Sequence, residues 1–362
     1  MPTQVPPSQF GFAMYAQFLA LNHGRVCFTD LARVVEGLSH DRINRYMRNH
    51  KLTSRAVWRA VRGDIVPSKN AYILFDDTVL SKKHARHNQL VRRQWSGNEK
   101  KVVDGIGLVT CVYVNPEINR FWIVDFRIFQ PDHDGKSKHQ HAHEMLENFV
   151  HTKPAPVRRV LVDSWYATKA FFLLAEKLGL IYYAPIKSNR QVRRQAADDH
   201  QDQRVDSVPW DAGSLEHGHR IHLRGMPKGH TVKLFRVVVL TDRIDWVITN
   251  DPDIHLTTET VRKHIRVRWK VEQFHREMKQ MTSVEKCQAI IQRIQRNHIA
   301  CAIVAWIFLN RIATHIGKTA YSFKRSLLDG LMRQMMKTPK DSFLKNKHYF
   351  FPELNSAQVL IC

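Results

Sequence analysis

The chain has 362 residues, and its 56 Lys and Arg against 33 Asp and Glu give a formal net charge of +23. This length allows two or three domains with a large core, and a hydrophobic content of 43% excludes a disordered chain. The charge favours polyanionic partners, nucleic acid before an anionic membrane. We expect no membrane partner. The longest apolar run, Ile299–Leu309, is about half of the roughly 20 residues that a membrane-spanning helix needs.

The N-terminal segment MPTQVPPSQFGF has neither the basic nor the apolar region of a secretory signal peptide. The five cysteines are scattered along the chain and are never paired as C-x-x-C. This pattern favours a reducing compartment and argues against a disulfide framework or a thiolate metal site. We therefore expect a cytoplasmic protein.

Three short helices are predicted near the N-terminus, where Thr29 can cap the first, Gly37 ends it and Ser39 can cap the second. A helix, a short glycine turn and a second helix are typical of the helix-turn-helix motif. The second helix carries Arg42, Arg45 and Arg48, a basic strip that could follow DNA phosphates. The same pattern also suits a small helical bundle with a solvated charged face, and the sequence leaves both interpretations open.

The middle of the chain alternates apolar runs with helical patterns. Strands are predicted at residues 71–78, 106–115, 120–129, 158–164 and 180–186, and helices at residues 141–150 and 166–179. Strands that are apolar on both faces and alternate with helices predict a sheet covered on both sides. Residues 187–245 then become polar and alternating, which predicts a β-rich insertion, and a strand at 246–251 returns to the core before two further helices.

Acidic residues follow two of these strands. Asp76 and Asp77 end the first strand, and Asp163 ends the fourth. The edge of an open α/β sheet at which such strands end is where ligands bind. Each acid by itself also suits a cap of the following helix.

The helix at residues 267–280, VRWKVEQFHREMKQ, places Arg268, Glu272, His275 and Lys279 in one stripe beside its buried face. Glu272 by itself suits an ordinary surface ion pair with Arg276. Together with two strand-end acids, however, it could help to hold hard divalent cations. Two such ions about 4 Å apart can act on a phosphodiester, and Arg268 and Lys279 would then grip phosphates beside them.

At this point the sequence resembles the DDE transposases of bacterial insertion sequences, in the branch whose RNase H-like core is interrupted by a β-rich insertion. That branch carries a signature of Tyr, two residues, Arg, three residues, Glu, six residues and Lys. Arg268, Glu272 and Lys279 have these spacings, and Ile265 stands at the tyrosine position.

The three acidic blocks of the family are also matched, by LFDDT, by VLVDSWY and by TND followed by RWKVEQFHREMKQ. The first block often has Thr or Ser two residues after its Asp, so Thr78 favours Asp76; Asp77 is the alternative, on the opposite face of the strand. The resemblance implies that Asp76, Asp163 and Glu272 are catalytic and hold two Mg²⁺ or Mn²⁺ ions. It implies that Arg268 and Lys279 bind DNA.

The expected fold is α/β, an RNase H-like mixed sheet flanked by helices. The predicted domains are a helical DNA-binding domain at 1–70, a catalytic domain at 71–186 and 246–285, a β-rich insertion at 187–245 and a helical C-terminal region at 286–362.

The resemblance implies a bacterial DNA transposase that binds terminal inverted repeats and target DNA as a homodimer. It would catalyse metal-dependent hydrolysis and strand transfer, in the cytoplasm and on the nucleoid when bound to DNA. The alternatives are a non-enzymatic sequence-specific DNA-binding protein, such as a domesticated transposase, and an RNase H-like nuclease that cuts without joining.

Overall fold

The computed structural model describes residues 10–22, 26–82, 88–97, 99–194, 201–240, 243–326 and 329. Residues up to Ile307 belong to one compact unit, and Phe308 begins a second. The C-terminal helical region predicted at 286–362 lies outside the described residues beyond 326, apart from Asp329.

The described residues begin with four helices and continue with four strands; helices and strands are then mixed, and three helices come last. The helices are α1 Phe12–Leu21, α2 Phe28–Val34, α3 His40–Asn49, α4 Ser54–Val61, α5 Pro131–Asp134, α6 Lys138–Thr152, α7 Lys169–Lys177, α8 Ala212–His217, α9 Thr258–Arg266, α10 Trp269–Met281 and α11 Gln292–His315. The strands are β1 Tyr72–Ser81, β2 Arg92–Ser96, β3 Lys101–Asn115, β4 Arg120–Ile128, β5 Arg159–Leu161, β6 Ile181–Ile186, β7 Gln191–Arg194, β8 Gln203–Arg204, β9 His219–Leu223, β10 Val232–Leu240 and β11 Arg243–Thr249.

One mixed sheet contains all the described strands. Its order is β2-β3-β1-β5-β6-β11-β10-β9-β7-β8, and β4 pairs with β3. The long hairpins make β1, β3 and β4 antiparallel, whereas β5 and β6 run parallel to β1 because helices connect them. The predicted fold class, a mixed α/β sheet flanked by helices, is confirmed.

The centre of the sheet is apolar on both faces. Residues 72–75 of β1 are all buried, and so are residues 160–162 in β5 and directly after it. Helix α6 packs on β1, β3 and β4, and helix α10 packs on β1 and β3. Such double coverage explains why these strands are continuous hydrophobic runs instead of alternating ones.

The β-rich segment after β6 extends the same sheet. Strand β10 pairs with β11, which pairs with β6, and β9 and β7 continue the order outwards. The mixture of apolar and polar residues fits this position, because Val232, Leu234, Phe235 and Val237 of β10 are buried while the polar residues between them are half-buried.

The N-terminal helices α2, α3 and α4 occur where the sequence predicts them. The Ser39 hydroxyl accepts a hydrogen bond from the Arg42 amide, so the predicted cap of α3 is confirmed. The predicted cap at Thr29 is wrong: Cys27 precedes α2, and the Thr29 hydroxyl lies 3.1 Å from the Cys27 sulfur instead of a backbone amide.

The turn between α3 and α4 is fixed to the start of α11. The Asn297 side-chain amide donates to the carbonyls of Met47 and His50, and its oxygen accepts from the Leu52 amide. Helix α4 also packs on β4. The helical N-terminal segment is therefore docked on the sheet unit through polar as well as apolar contacts.

Helix α11 is long and apolar enough to cross a membrane by length and composition alone. However, 61% of its most apolar window is buried inside the protein. Burial of this extent is what the core helix of a folded unit shows.

Candidate active site

The parallel pairing of β1 and β5 brings two acidic side chains together. Leu74 of β1 stands opposite Leu161, the last residue of β5. Asp76 lies two residues after Leu74, and Asp163 lies two residues after Leu161. Because the two strands are parallel, this register places both acids at the same level of the sheet. Both carboxylates line one cleft of about 540 Å³, which Glu272 of α10 also lines. The fold thus brings three acids that are distant in sequence into one cleft.

Asp76 is half-buried in an environment that disfavours its charge. Burial and the negative charges of Asp163 and Asp77 raise the pKa of Asp76 well above its usual value, while the Arg268 guanidinium acts in the opposite direction. One Asp76 oxygen accepts a hydrogen bond of 2.8 Å from the Asp77 amide. A cation bound at this position would relieve the repulsion between the neighbouring carboxylates.

Asp163 is oriented by the turn that follows β5. Its Oδ1 atom accepts hydrogen bonds from the amides of Trp165 and Tyr166, both at 3.0 Å. A carboxylate that binds backbone amides two and three residues ahead is held in a tight local turn. Burial raises the pKa of Asp163, and the amide of Tyr166 and the Arg268 guanidinium oppose this rise.

Asp77 borders the same cleft, but its carboxylate is engaged elsewhere. Its Oδ2 atom forms an ion pair with Lys138 of α6, and its Oδ1 atom accepts from the Tyr166 hydroxyl at 3.2 Å. These contacts follow from the alternation of side chains along a strand, which turns Asp77 away from the face that carries Asp76. The geometry therefore favours Asp76 over Asp77 as the first acid of the cleft.

Glu272 forms an ion pair with Arg268, with 2.7 Å between Oε1 and Nη1. The surface pair of Glu272 with Arg276, which the helical spacing also allows, does not form. Arg276 instead lies over the ring of Trp269, 5.5 Å from its centre. Arg268 and Glu272 both line the cleft, so the pair stands at the acidic site and not on an outer face.

Lys279 lines the cleft as well, but its ammonium group has protein partners. It donates a hydrogen bond of 2.7 Å to the carbonyl of Val79 on β1 and lies 3.5 Å from the Glu285 carboxylate. Only 14% of its side chain is exposed. In this structure Lys279 therefore ties α10 to β1 beside the acids.

His275 and Thr110 contact the backbone of the cleft at Asp76, and sequence patterns predicted no role for either. The His275 Nε2 atom lies 2.8 Å from the Thr110 hydroxyl, which donates to the carbonyl of Asp76. Burial lowers the pKa of His275 to about 3, so the ring is neutral. The Thr110 hydroxyl uses its hydrogen in the bond to the Asp76 backbone carbonyl. The Nε2 atom of His275 must therefore carry a proton and donate a hydrogen bond to the Thr110 oxygen. In the sequence, the one signal for a role of His275 was its position in the same helical stripe as Arg268 and Glu272.

Two exposed tryptophans also line the cleft. Trp95 of β2 is 62% exposed and Trp269 of α10 is 54% exposed. A third, Trp165, is 44% exposed and stacks on His139 just after Asp163. Large aromatic side chains that remain exposed around a polar cleft are unusual and can stack on nucleobases. Because core tryptophans are far commoner, sequence patterns did not distinguish these three.

The predicted arginine strip lies away from the cleft. Arg45 and Arg48 are exposed on α3 and Arg42 is half-buried. None of the three lines the acidic cleft. Their predicted role in DNA binding stays a prediction.

The donor set of the cleft suits a hard divalent cation, since Asp76, Asp163 and Glu272 offer carboxylate oxygens. In the described part of the chain, however, no three His, Cys, Asp or Glu side chains are close enough together to hold a metal ion. The ion pair with Arg268 holds the third carboxylate, that of Glu272, on a protein cation. The residues fit the predicted metal in chemistry, and Glu272 would have to leave Arg268 to complete the set.

The carboxylates of this cleft are able to hold divalent cations, its arginine can bind a phosphate and its exposed tryptophans can stack on bases. The family model described as DDE superfamily endonuclease matches residues 12–209, more than half of the chain. The protein therefore belongs to the DDE superfamily endonucleases. The matched range includes Asp76 and Asp163 and ends before Glu272.

Comparisons with solved structures gave distant similarities. A piggyBac transposase synaptic complex with hairpin DNA is 13% identical, with a TM-score of 0.46, 91% of this chain covered and 72% of that chain. Endonuclease V from Ciona intestinalis, bound to a 24mer DNA containing an inosine followed by a ribo-adenosine, is 10% identical, with a TM-score of 0.26, 66% of this chain covered and 99% of that chain. No curated protein matches the chain.

Proposed function

We propose that the protein is a DNA transposase of the type found in bacterial insertion sequences. It would bind transposon ends and catalyse metal-dependent phosphodiester hydrolysis and strand transfer. The observation that carries this proposal is the placement of Asp76, Asp163 and Glu272 in one cleft of a DDE superfamily endonuclease. The arrangement of Arg268, Glu272 and Lys279, with Ile265 at the tyrosine position, is the proposed form of the family signature.

Asp76, Asp163 and Glu272 are the residues that would hold Mg²⁺ or Mn²⁺. Two such ions would supply Lewis acidity at the phosphodiester and at the attacking and leaving oxygens. Burial and the neighbouring carboxylates raise the pKa of Asp76 and so disfavour its charged form, and a bound cation would favour that form.

The other cleft residues have roles that follow from their present contacts. Arg268 can exchange the Glu272 carboxylate for a phosphate oxygen, because guanidinium binds both groups in the same geometry. This exchange would free Glu272 at the moment when DNA enters. Lys279 binds the Val79 carbonyl, so its first role is to fix α10 against β1, and a phosphate contact would require it to turn towards the cleft.

Double-stranded DNA is the proposed partner, as transposon ends and as target. The net charge of +23 and the arginines Arg42, Arg45 and Arg48 of α3 support binding to phosphates. A homodimer on paired ends is part of the same proposal, as is a location in the bacterial cytoplasm and on the nucleoid when bound to DNA.

The test is a cleavage and joining assay with Mg²⁺ or Mn²⁺ and a DNA that carries the ends of the element. We expect Asp163→Asn and Glu272→Gln to lose cleavage at least about 1,000-fold while still binding DNA. The matched control is Glu259→Gln, since Glu259 forms an ion pair with Arg262 on the neighbouring helix α9. Cleavage that survives either change at the cleft would refute the assignment of the acids.

Two alternatives would be distinguished by the same assay. The family is described as endonucleases, which favours a nuclease that cuts without joining as the second candidate. Cut DNA with no joined product would support it. The ion pair that holds Glu272 on Arg268 favours a non-enzymatic DNA-binding protein as the third. DNA binding by the wild-type protein with no cleavage would support that one.

A further inference from the structure

A second polar cavity lies apart from the acidic cleft. Its volume is about 390 Å³, and none of the residues that line it also lines the acidic cleft. Its walls come from the turn between α3 and α4, from β4, from α5 and α6, and from the first turn of α11. All of these elements belong to the first compact unit.

Positive charge dominates this cavity. Lys51, Arg127, Arg293 and Arg296 all line it, and Asp134 is the single carboxylate among the lining residues. Lys51 and Arg293 are exposed and form no ion pair in the described part of the chain. Even with Arg127 paired to Asp125 behind the cavity wall, the lining cations outnumber the carboxylates and leave a local excess of positive charge.

The two remaining cations are held in place by the protein. Arg127 donates to the Ser54 hydroxyl at 3.0 Å and forms an ion pair with the buried carboxylate of Asp125. Arg296 donates to the side-chain oxygen of Gln130. These bonds orient the two guanidinium groups before any ligand arrives, which lowers the entropy cost of binding.

His141 is the feature that points to a missing partner. It lines the cavity and is 3% exposed, yet neither ring nitrogen has a hydrogen-bond partner in the described structure. Its Nε2 atom lies 3.4 Å from an Asp134 oxygen, without the geometry of a hydrogen bond. A buried polar group without a partner costs roughly 1–3 kcal/mol, so such groups normally have one.

The sequence explains why this ring lies in the cavity. Ser137 and Gln140 form a reciprocal capping box that starts α6 at Lys138. Three histidines in KHQHAHE then diverge around the helix: His139 bonds to the Trp165 carbonyl, His143 packs beside Phe171, and His141 turns inwards. The Nε2 atom of His143 also lacks a hydrogen-bond partner, but His141 is the histidine of the three that lines the cavity, and both of its ring nitrogens lack one.

The N-terminus of α4 adds a further anion-binding element. Thr53 and Ser54 line the cavity, and the Thr53 side chain makes no capping hydrogen bond at the start of the eight-residue helix. Backbone amides at a helix start carry partial positive charge and bind phosphate readily. The contacts of Asn297 with Met47, His50 and Leu52 hold this helix start in position.

We propose that this cavity is a phosphate-binding site, in which Lys51, Arg127, Arg293, Arg296 and His141 bind the oxygens of one phosphate group together with the start of α4. The site goes beyond the proposed function, because it binds without the acidic cleft and without metal. The phosphate can belong to a DNA strand or can be free inorganic phosphate, since the chemistry is shared.

The test is a titration of the full chain with sodium phosphate against sodium chloride at equal ionic strength, without DNA or metal, followed by calorimetry. We expect saturable phosphate binding that weakens at least tenfold in the double variant Lys51→Gln/Arg293→Gln. The matched control combines Arg220→Gln and Lys228→Gln, two exposed cations of the β-rich segment that do not line the cavity. It should keep the wild-type affinity.

A second variant tests the buried ring. His141→Phe keeps a planar ring of similar size and removes both nitrogens, so it should weaken phosphate binding several-fold without lowering the melting temperature. Absence of saturable binding, or wild-type affinity in either the double variant or His141→Phe, would overturn the site. Displacement of bound phosphate by a short DNA duplex would assign the site to a strand phosphate, and retention would assign it to free phosphate.

Discussion

The Arg268 guanidinium lies 2.7 Å from the Glu272 carboxylate, one helical turn away, at the edge of the acidic cleft. The pair neutralises Glu272 where two further carboxylates gather. Since a metal would need the same carboxylate, the arginine and the metal compete for Glu272. Release of Glu272 would then be coupled to binding of a phosphate by Arg268.

The first prediction follows from this competition. Replacement of Arg268 by Gln should leave Mn²⁺ binding intact or strengthen it by no more than about fivefold, since such ion pairs contribute about 0–1 kcal/mol. End cleavage should fall by about 100-fold, because a group that stabilises charge on the phosphate is lost. Calorimetry with Mn²⁺ and single-turnover cleavage measure the two effects. Arg262→Gln on α9 is the control, and unchanged cleavage in Arg268→Gln would contradict the phosphate role.

The second prediction separates the two neighbouring acids of β1. Asp76→Asn should abolish cleavage, because Asp76 faces Asp163 across the sheet register. Asp77→Asn should retain much of the activity but lower the free energy of unfolding by about 1–3 kcal/mol, since it leaves Lys138 without its carboxylate. Urea unfolding and cleavage rates check both. The reverse pattern, with Asp77→Asn inactive and Asp76→Asn active, would move the site to Asp77.

Much of the sheet was predictable because its central strands are short apolar runs between turns. The strand predicted at 71–78 is β1, Tyr72–Ser81, and the one predicted at 180–186 is β6, Ile181–Ile186. Strand β2, Arg92–Ser96, was not predicted, because it is polar and charged and only its last residue is buried. It forms by pairing with the start of β3, a tertiary contact that local sequence does not encode.

The site was predictable in outline, since acids that follow buried apolar runs in neighbouring strands come close together. The prediction that Asp76 and Asp77 end their strand is wrong, because pairing with β3 continues β1 to Ser81. The ion-pair and hydrogen-bond partners of the site residues were not predictable from the sequence. Helical spacing allows Glu272 to pair with Arg268 or with Arg276, and the ring of Trp269 attracts Arg276. Lys279 bonds to a carbonyl of β1, which depends on how α10 packs on the sheet. Spacing along a helix fixes which side chains are neighbours, and packing decides which of them meet.

The third prediction concerns His275 as a positioning residue. Its bond to Thr110 supports the hydroxyl that holds the backbone of Asp76. His275→Leu should lower cleavage by about tenfold and raise the Mn²⁺ concentration needed for half-maximal rate, because a displaced ligand binds metal less well. His275→Gln, which can still donate to Thr110, should recover part of both. Equal losses in the two variants, with no change in the Mn²⁺ requirement, would show a packing role only.

The fourth prediction concerns acid stability and rests on His298 of α11. This buried ring bonds to the Tyr15 hydroxyl at 3.0 Å, and burial lowers the pKa of His298 to about 3. An unfolded histidine has a pKa near 6.5, so below that pH the unfolded chain binds a proton that the folded protein does not. Stability is therefore full above about pH 6.5 and declines as the pH falls towards 3, by about 2 kcal/mol from this group at pH 5.

Urea unfolding at several pH values between 7.5 and 5 measures this effect. His298→Gln should be less stable at pH 7.5, since it loses the fit to Tyr15, but the difference from wild type should shrink by about 2 kcal/mol at pH 5. His151→Gln, at an exposed position of α6, should follow the wild-type pH dependence. Parallel curves for His298→Gln and wild type would contradict the prediction, because they would mean that His298 takes up its proton equally in the folded and unfolded states.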